Sequence, residues 1–229
     1  MPGNPQLTAV GFRVKSGWAV AVLLRGPARA PVLLDCRPVA LSDPRRPEQR
    51  QPFHSALEIH GARGAREAAR LAQEVRRHAS RSLARLLRAY RRNGARPLGV
   101  GVVVGSLVDP RTIANPHIRA HAEEGRLFRE VTVAAAHKAR LRSLVVLERE
   151  LPEAAAGVLG RPTPELRALL AEMRRGLAGP WRADQKNAAL AAWVLLAAAG
   201  PTRRTRSPSR NRRALTRKEA RSWNAGGVS

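Results

Sequence analysis

The sequence predicts an α/β fold in which a mixed five-stranded sheet is flanked by helices. Three apolar runs near the N-terminus are separated only by short turns that contain Gly, Pro or Ser, which predicts a three-strand antiparallel meander. Helix-period segments and continuous apolar segments then alternate, an order typical of βαβ units. We expect a single α/β domain over residues 1–200 and a basic, disordered tail over residues 201–229.

The meander is predicted from strand-forming residues and from the turns between them. Strands are expected at 7–14 and 18–24, joined by the polar turn 15–17, and at 31–41 after the turn 25–27. These segments are rich in Val and Leu with small residues between them, as is typical of a sheet. Because the turns are short, neighbouring strands must run antiparallel.

Helices and strands alternate in the rest of the domain. A polar, Pro-rich loop is predicted at 42–53, and the long helix after it ends at Asn93-Gly94. Its apolar stripe consists of Ala68, Leu71, Val75, Ala79, Leu83, Leu86 and Tyr90. The continuous apolar run 98–104 predicts a strand that is buried on both faces and parallel to a neighbour. Later elements are predicted as a helix at 117–141, a strand at 143–147, a loop or short helix at 151–159, and helices at 164–175 and 184–199.

The chain is strongly basic, with a formal net charge of +25 over 229 residues. Residues 201–229 hold nine basic residues and one acidic residue, which leaves +17 on residues 1–200. A charge of this size favours a polyanion, so we expect DNA or RNA as the partner. An arginine-rich coding bias without such a partner, an acidic protein or a membrane surface remain as alternatives.

Composition also excludes several kinds of site. The single cysteine, Cys36, rules out an internal disulfide and a cysteine-based zinc cluster. The N-terminus lacks the basic-then-apolar pattern of a signal peptide, and the apolar run 188–200 is too short to span a bilayer. We therefore expect a cytoplasmic protein with no membrane partner.

Two segments resemble a known fold family when they are taken together with the element order. These are GFRVKSGWA at 11–19, in the first hairpin, and DQKNAALAAW at 184–193, in the last helix. Over residues 7–199 the chain resembles the RNase H-like superfamily, in particular its RuvC-like branch of Holliday-junction resolvases. The resemblance implies a sheet-centred cluster of carboxylates that holds two divalent metals for phosphodiester hydrolysis.

The chain departs from the family pattern at most of these acidic positions. Arg13 stands in the first strand where the resemblance implies an aspartate. The fourth strand ends without an acid at Gly105-Ser106, and Asn187 stands where the last helix should carry its second acid. Asp184 alone matches. The resemblance therefore implies a degenerate acidic site.

Two acids remain as catalytic candidates, Asp184 and Asp35. Asp184 precedes an Ala-rich helix, where an acid commonly caps the backbone and complements the helix dipole, so a capping role competes with metal binding. Asp35 lies in the third predicted strand, where it points either to a sheet face or outward at an edge. No metal site and no cofactor are predicted, and Mg²⁺ or Mn²⁺ would be needed only by an active nuclease.

Basic residues and histidines near strand ends are the candidates for nucleic-acid binding. They are Arg13, Lys15, Arg111, His117, Arg119 and His121. The last four follow the fourth strand, at the carboxyl end where ligands tend to bind in α/β sheets. His117 and His121 share a helix face and could bind zinc, but no third ligand is apparent from the sequence. A solvated helix start is the alternative interpretation.

Three functions follow. The first is a nucleic-acid-binding protein with a degenerate, non-catalytic RNase H-like fold and an Arg-rich phosphate-binding surface. The second is a metal-dependent nuclease whose relocated acids, drawn from Asp35, Glu58, Asp109 and Asp184, converge within a few ångströms. The third is a scaffold whose basic tail binds an acidic protein. We expect the first.

Overall fold

The computed structural model describes residues 7–59, 61–174 and 179–199. Its strands are β1 (Thr8–Lys15), β2 (Trp18–Arg25), β3 (Val32–Ala40), β4 (Pro97–Val104) and β5 (Arg142–Leu147). Within these ranges its α-helices are α1 (Pro52–Ser55), α2 (Gly61–Arg92), α3 (Pro116–Lys138), α4 (Leu151–Leu159), α5 (Thr163–Glu172) and α6 (Ala183–Ala198). Short 3₁₀ helices occupy Pro47–Arg50 and Pro110–Thr112.

The strands form one mixed sheet in the order β3-β2-β1-β4-β5. β1 pairs antiparallel with β2, and β2 pairs antiparallel with β3, which is the predicted meander. β4 lies parallel to both β1 and β5. All but one of its residues are buried, because helices cover the sheet on both sides. The predicted fold class is confirmed.

Helices form a layer on each face of the sheet. The apolar sides of α2 and α3 pack on one face, and α4, α5 and α6 pack on the other. Side chains of β1 alternate between these layers, as strand geometry requires. Phe12 and Val14 belong to the core beneath α2 and α3. Arg13 between them therefore faces the layer that contains α6.

Helix α6 lies very close to β1 and β4 because its partners there are glycines. A Cβ added to Gly11 would lie 1.7 Å from the carbonyl oxygen of Ala188, and one added to Gly101 would lie 2.8 Å from the Cβ of Ala191. Glycine in the strands and alanine in the helix together permit this approach. The close contact holds the first turn of α6 beside Arg13.

Several predicted boundaries differ from the observed ones. The region predicted as a loop at 42–53 contains the first 3₁₀ helix and the start of α1. Residues 151–159, predicted as a loop or short helix, form the helix α4. The predicted tail 201–229 and the end of the predicted helix 164–175 lie outside the described residues. In the described ranges no helix has both the length and the apolar character needed to cross a membrane.

Candidate nucleic-acid interface and the ion-pair cluster between β1 and α6

A cluster of five polar residues joins β1, β5 and α6. Its members are Arg13 and Lys15 of β1, Glu148 directly after β5, and Asp184 and Asn187 of α6. We call it the β1–α6 cluster. It lies at the carboxyl ends of β1 and β5 and on the face of the sheet that α6 covers. It therefore occupies the position where the family resemblance implies the acidic site.

The Arg13 guanidinium lies at the centre of the β1–α6 cluster and is only 4% exposed. Its Nη2 donates to Oε2 of Glu148 in an ion pair, and its Nη1 donates to the carbonyl oxygen of Val14 at 2.7 Å. Its Nε lies 3.7 Å from Oδ1 of Asp184. That distance makes an ion pair but is too long for a hydrogen bond, so Nε is buried without a hydrogen-bond partner in the described part of the chain. The fold holds Arg13 against carboxylates and does not present it to solvent.

The remaining members complete a charge-balanced network. Nζ of Lys15 lies 3.1 Å from Oδ1 of Asp184. Nδ2 of Asn187 donates to Oε1 of Glu148 at 2.8 Å. Two cationic side chains thus balance two carboxylates, and the amide at Asn187 adds a hydrogen bond without adding charge.

Asp184 is not the cap of α6. The helix begins at Ala183, and the cap residue is Arg182, whose backbone N–H donates to the side chain of Gln185 at 2.9 Å. Asp184 lies in the first turn, where an acid complements the helix dipole, and its carboxylate is directed at Lys15 and Arg13. The capping alternative is therefore replaced by a role in the ion-pair network.

Glu148 was not among the predicted site residues. It follows the apolar strand β5 directly, and its backbone N–H donates to the carbonyl of Val104 at the end of β4 at 2.9 Å. An acid at the carboxyl end of a parallel strand is the signal that could have identified it. The end of β4 carries no acid, as the sequence indicated, and Ser106 there accepts a hydrogen bond from the backbone of Val108 at 3.2 Å.

The β1–α6 cluster does not fit the two-metal centre that the fold resemblance implies. Two divalent cations need several carboxylate oxygens that are free to coordinate them. Here the two carboxylates are neutralised by Arg13 and Lys15, and the Arg13 side chain fills the space between them. A divalent cation would be placed directly against a buried guanidinium, which electrostatic repulsion opposes.

Asp35, the other predicted catalytic acid, lies on the opposite face of the sheet. Its carboxylate accepts two hydrogen bonds from Arg37, at 2.6 and 2.7 Å, and one from the Tyr90 hydroxyl at 2.7 Å. Burial raises the pKa of Tyr90 well above its usual value, and the Asp35 carboxylate raises that pKa further. The structure does not bring Asp35 and Asp184 together.

The other acids of the relocated set are also scattered. Asp109 caps the 3₁₀ helix that begins at Pro110 and pairs with Arg111, whose hydrogen bond lowers the pKa of the Asp109 carboxyl. Glu58 is exposed in the segment after α1. Among the described residues, the single group of three or more His, Cys, Asp or Glu side chains close enough to share a metal contains none of these acids.

That group is the histidine cluster, formed by His54 of α1 with His117 and His121 of α3. One ring nitrogen from each residue lies within 4.8 Å of the others, and the ring centroids are 4.0 to 4.8 Å apart. His117 and His121, which the sequence predicted to share a face of α3, lie next to each other. His54 is a third member that the sequence did not reveal. Desolvation lowers the pKa of His121 below its usual value, and His54 lowers it further.

The predicted phosphate-binding residues thus fall into two places. Arg13 and Lys15 belong to the β1–α6 cluster. The other four lie in the loop after β4 or the first turns of α3, and all four are exposed; they are Arg111, His117, Arg119 and His121. Arg119 makes a long hydrogen bond of 3.5 Å with the carbonyl of Ile113.

A further basic surface lies on the solvent side of α2. Four exposed arginines, spaced four, four and three residues apart, share one side of the helix, and we call them the α2 arginine row: Arg77, Arg81, Arg85 and Arg88. None of the four is paired with a described acidic residue. Beside the row, a cleft of about 640 Å³ is lined by Arg45, His78, Arg81 and Arg85, among others. Burial lowers the pKa of His78, and the nearby arginines lower it further against the opposing effect of Asp43.

Comparisons with known proteins identify the fold. No protein-family model matches the chain, and no curated protein matches it in sequence. Among solved structures, Thermus thermophilus RuvC matches with 13% identity and a TM-score of 0.50, over 82% of this chain and 92% of that one. T. thermophilus RuvC in complex with a Holliday junction substrate matches with 14% identity and a TM-score of 0.50, over 85% and 96% of the two chains. The chain has the RNase H-like fold that is seen in RuvC.

Proposed function

We propose that this protein binds nucleic acid through an arginine-rich surface and does not hydrolyse it. The proposed lack of hydrolysis rests on the buried Arg13, which is paired with Glu148 and lies within ion-pair distance of Asp184. Hydrolysis by two metals needs those carboxylates as ligands, and here internal cations already neutralise them.

The charge distribution supports nucleic acid as the ligand. Residues 1–200 carry a net charge of +17. Most acidic side chains of the described ranges are paired with nearby arginines, as Glu67 and Glu74 are with Arg70. The α2 arginine row is not neutralised in this way, and it extends over about 16 Å at the rise of an α-helix. One structural neighbour is bound to a Holliday junction substrate, which supports the same ligand class.

Within the proposed function, the predicted residues have different roles. Arg111 and Arg119 are exposed and able to reach phosphates, as are the arginines of the α2 row. Lys15 is partly exposed beside Asp184 and marks the edge of the β1–α6 cluster. Arg13 acts through its ion pairs and stabilises the place where the strand ends meet α6.

The test is the salt dependence of binding to duplex DNA and to single-stranded DNA and RNA, measured by fluorescence anisotropy. For duplex DNA, each phosphate contact contributes about −0.9 to the slope of log K against log salt concentration. Replacing the four arginines of the α2 row with Gln should therefore reduce the magnitude of that slope by about 3 to 4 and weaken binding.

A matched control replaces four other exposed arginines, so that the change in total charge is the same. They are Arg29, Arg96, Arg142 and Arg167. We expect the control to change the slope by less than half as much. Equal effects of the two variants would refute a localised surface, and salt-independent binding or no binding at low salt would refute the proposal. The scaffold alternative would be favoured by two results together: the chain does not bind nucleic acid, and it still captures a protein from cell extract after nuclease treatment.

A further inference from the structure

The histidine cluster has two polar groups that the proposed function does not explain. Glu124 of α3 is fully buried, and its Oε1 accepts hydrogen bonds from the backbone N–H of His54 at 3.2 Å and from Nδ1 of that ring at 2.9 Å. Oε2 of Glu124 and Nε2 of His54 are both buried, and neither has a hydrogen-bond partner among the residues that the structure describes. Leaving a buried polar atom unpaired costs on the order of 1–3 kcal/mol, so these atoms point to a missing partner.

Hydrogen bonding determines which nitrogen of His54 is free to bind a ligand. The same Oε1 of Glu124 accepts from the backbone N–H of His54, which makes it the acceptor for the ring as well, so Nδ1 of His54 is the N–H donor to Glu124. In the neutral ring, the lone pair is then on Nε2, the nitrogen without a partner. A carboxylate that orients a histidine in this way is the usual outer support of a histidine that binds a metal.

We propose that His54, His117 and His121 bind one imidazole-preferring divalent cation of the zinc class, with Glu124 as the positioning residue behind His54. Three nitrogens leave one position of a tetrahedral zinc site open, and water would fill it. His117 and His121 are four residues apart on α3, so both project from one side of the helix. His54 approaches from α1, which packs against α3.

The dimensions are compatible with such a site after a small movement. Tetrahedral Zn–N bonds of about 2.0–2.1 Å place the nitrogens roughly 3.3–3.4 Å apart. The present separations reach 4.8 Å, so the rings must approach by about 1–1.5 Å. His117 and His121 are exposed, so rotation of their side chains can supply this movement without disturbing the core.

This cation site differs in chemistry and place from the acidic site that the fold implies. Its ligands are nitrogens, which suit zinc, whereas a two-metal hydrolytic site needs carboxylate oxygens for Mg²⁺ or Mn²⁺. It lies on α1 and α3, on the side of the sheet opposite α6. A bound cation would also connect the segment before α2 to α3 and would supply a partner for the buried Nε2 of His54.

The experiment is titration of the full-length chain, prepared without a histidine tag and stripped with chelator, with Zn²⁺ alone. Competition with a chromophoric chelator gives the affinity and the stoichiometry, and Co²⁺ substitution gives the visible spectrum of a four-coordinate site. We expect one tight Zn²⁺ per chain. His117→Asn and His121→Asn should each weaken the tight binding by more than tenfold. Glu124→Gln should weaken it by about 10- to 100-fold.

Control variants are His78→Asn and His137→Asn, which remove histidines that lie outside the cluster. They should leave the affinity and the Co²⁺ spectrum unchanged. Circular dichroism checks the fold of every variant, and the exposed positions 117 and 121 keep the test valid even if Glu124→Gln does not fold. The proposal is overturned if the chain binds no stoichiometric Zn²⁺, or if the His117→Asn/His121→Asn double variant binds it as tightly as the wild type.

Discussion

Replacing Arg13 with Met isolates the contribution of the buried guanidinium. Met is unbranched and flexible, so it can fill the same space under α6 while it removes the charge. Glu148 and Asp184 would then lose their central cation. Removing one partner of a fully buried ion pair costs about 3–5 kcal/mol. Here the side chains of Glu148 and Asp184 are 37% and 26% exposed, so water partly replaces Arg13.

We therefore expect Arg13→Met to lower the free energy of unfolding by about 2–3 kcal/mol, which is less than the cost for a fully buried pair. For a chain of this size, that corresponds to a fall in melting temperature of about 4–12 °C. Urea unfolding measures the change directly if the m-value stays constant. The control is Arg37→Met, which removes an exposed partner of Asp35 and should cost less than about 1 kcal/mol.

A double-mutant cycle separates the ion pair from the packing of the side chain. Glu148→Gln keeps the acceptor for Asn187 and removes the charge that Arg13 neutralises. In the Arg13→Met background, this second change should restore stability, with a coupling energy of at least about 1 kcal/mol. Additive effects, or an Arg13→Met variant as stable as the Arg37→Met control, would refute the view that ion pairs hold this cluster together.

Three further predictions concern other parts of the fold. Gly11→Ala should destabilise the chain by more than about 3 kcal/mol or prevent folding, because the new methyl group meets the backbone of α6; thermal unfolding detects this. Tyr90→Phe should cost about 1.5–3 kcal/mol in urea unfolding, since it removes a hydrogen bond to the Asp35 carboxylate. The hydrogen bond from Arg45 lowers the pKa of Asp43 to about 2. The interaction between Asp43 and Arg45 therefore stabilises the fold fully above the unfolded pKa of about 3.9, and this stabilisation is lost as pH falls through about 2. Arg45→Gln should raise the pKa of Asp43 towards about 3.9. If an NMR titration shows that the pKa of Asp43 stays near 2 in this variant, the Arg45 side chain is not the cause of the shift.

The sheet could be predicted because its signals are local. Short turns predicted the antiparallel pairing of the first three strands. The continuous apolar run of β4 predicted a strand parallel to a neighbour, and the structure places a parallel strand on each side of it. The substitution of Arg13 for an acid could be seen in the sequence as well. Its ion pairs could not, because they depend on how closely α6 approaches Gly11.

The residues missed by sequence reasoning are separated from their partners along the chain. Glu148 meets Arg13 across 135 positions, and His54 meets Glu124 across 70. No periodic pattern connects residues so far apart. His54 was also hidden by its context, because it directly follows the Pro-rich segment predicted as a loop at 42–53, and α1 is a four-residue helix that packs against α2 and α3.

The most direct test of the proposed function measures binding and cleavage in the same reactions. The full-length chain is incubated with end-labelled single strands, duplexes and four-way junctions in Mg²⁺ or Mn²⁺, and native and denaturing gels are run from each sample. We expect complexes that weaken as salt rises, with every labelled strand remaining intact. Metal-dependent cleavage that Asp184→Asn abolishes would contradict it, because the carboxylates neutralised by Arg13 and Lys15 would then be acting as metal ligands.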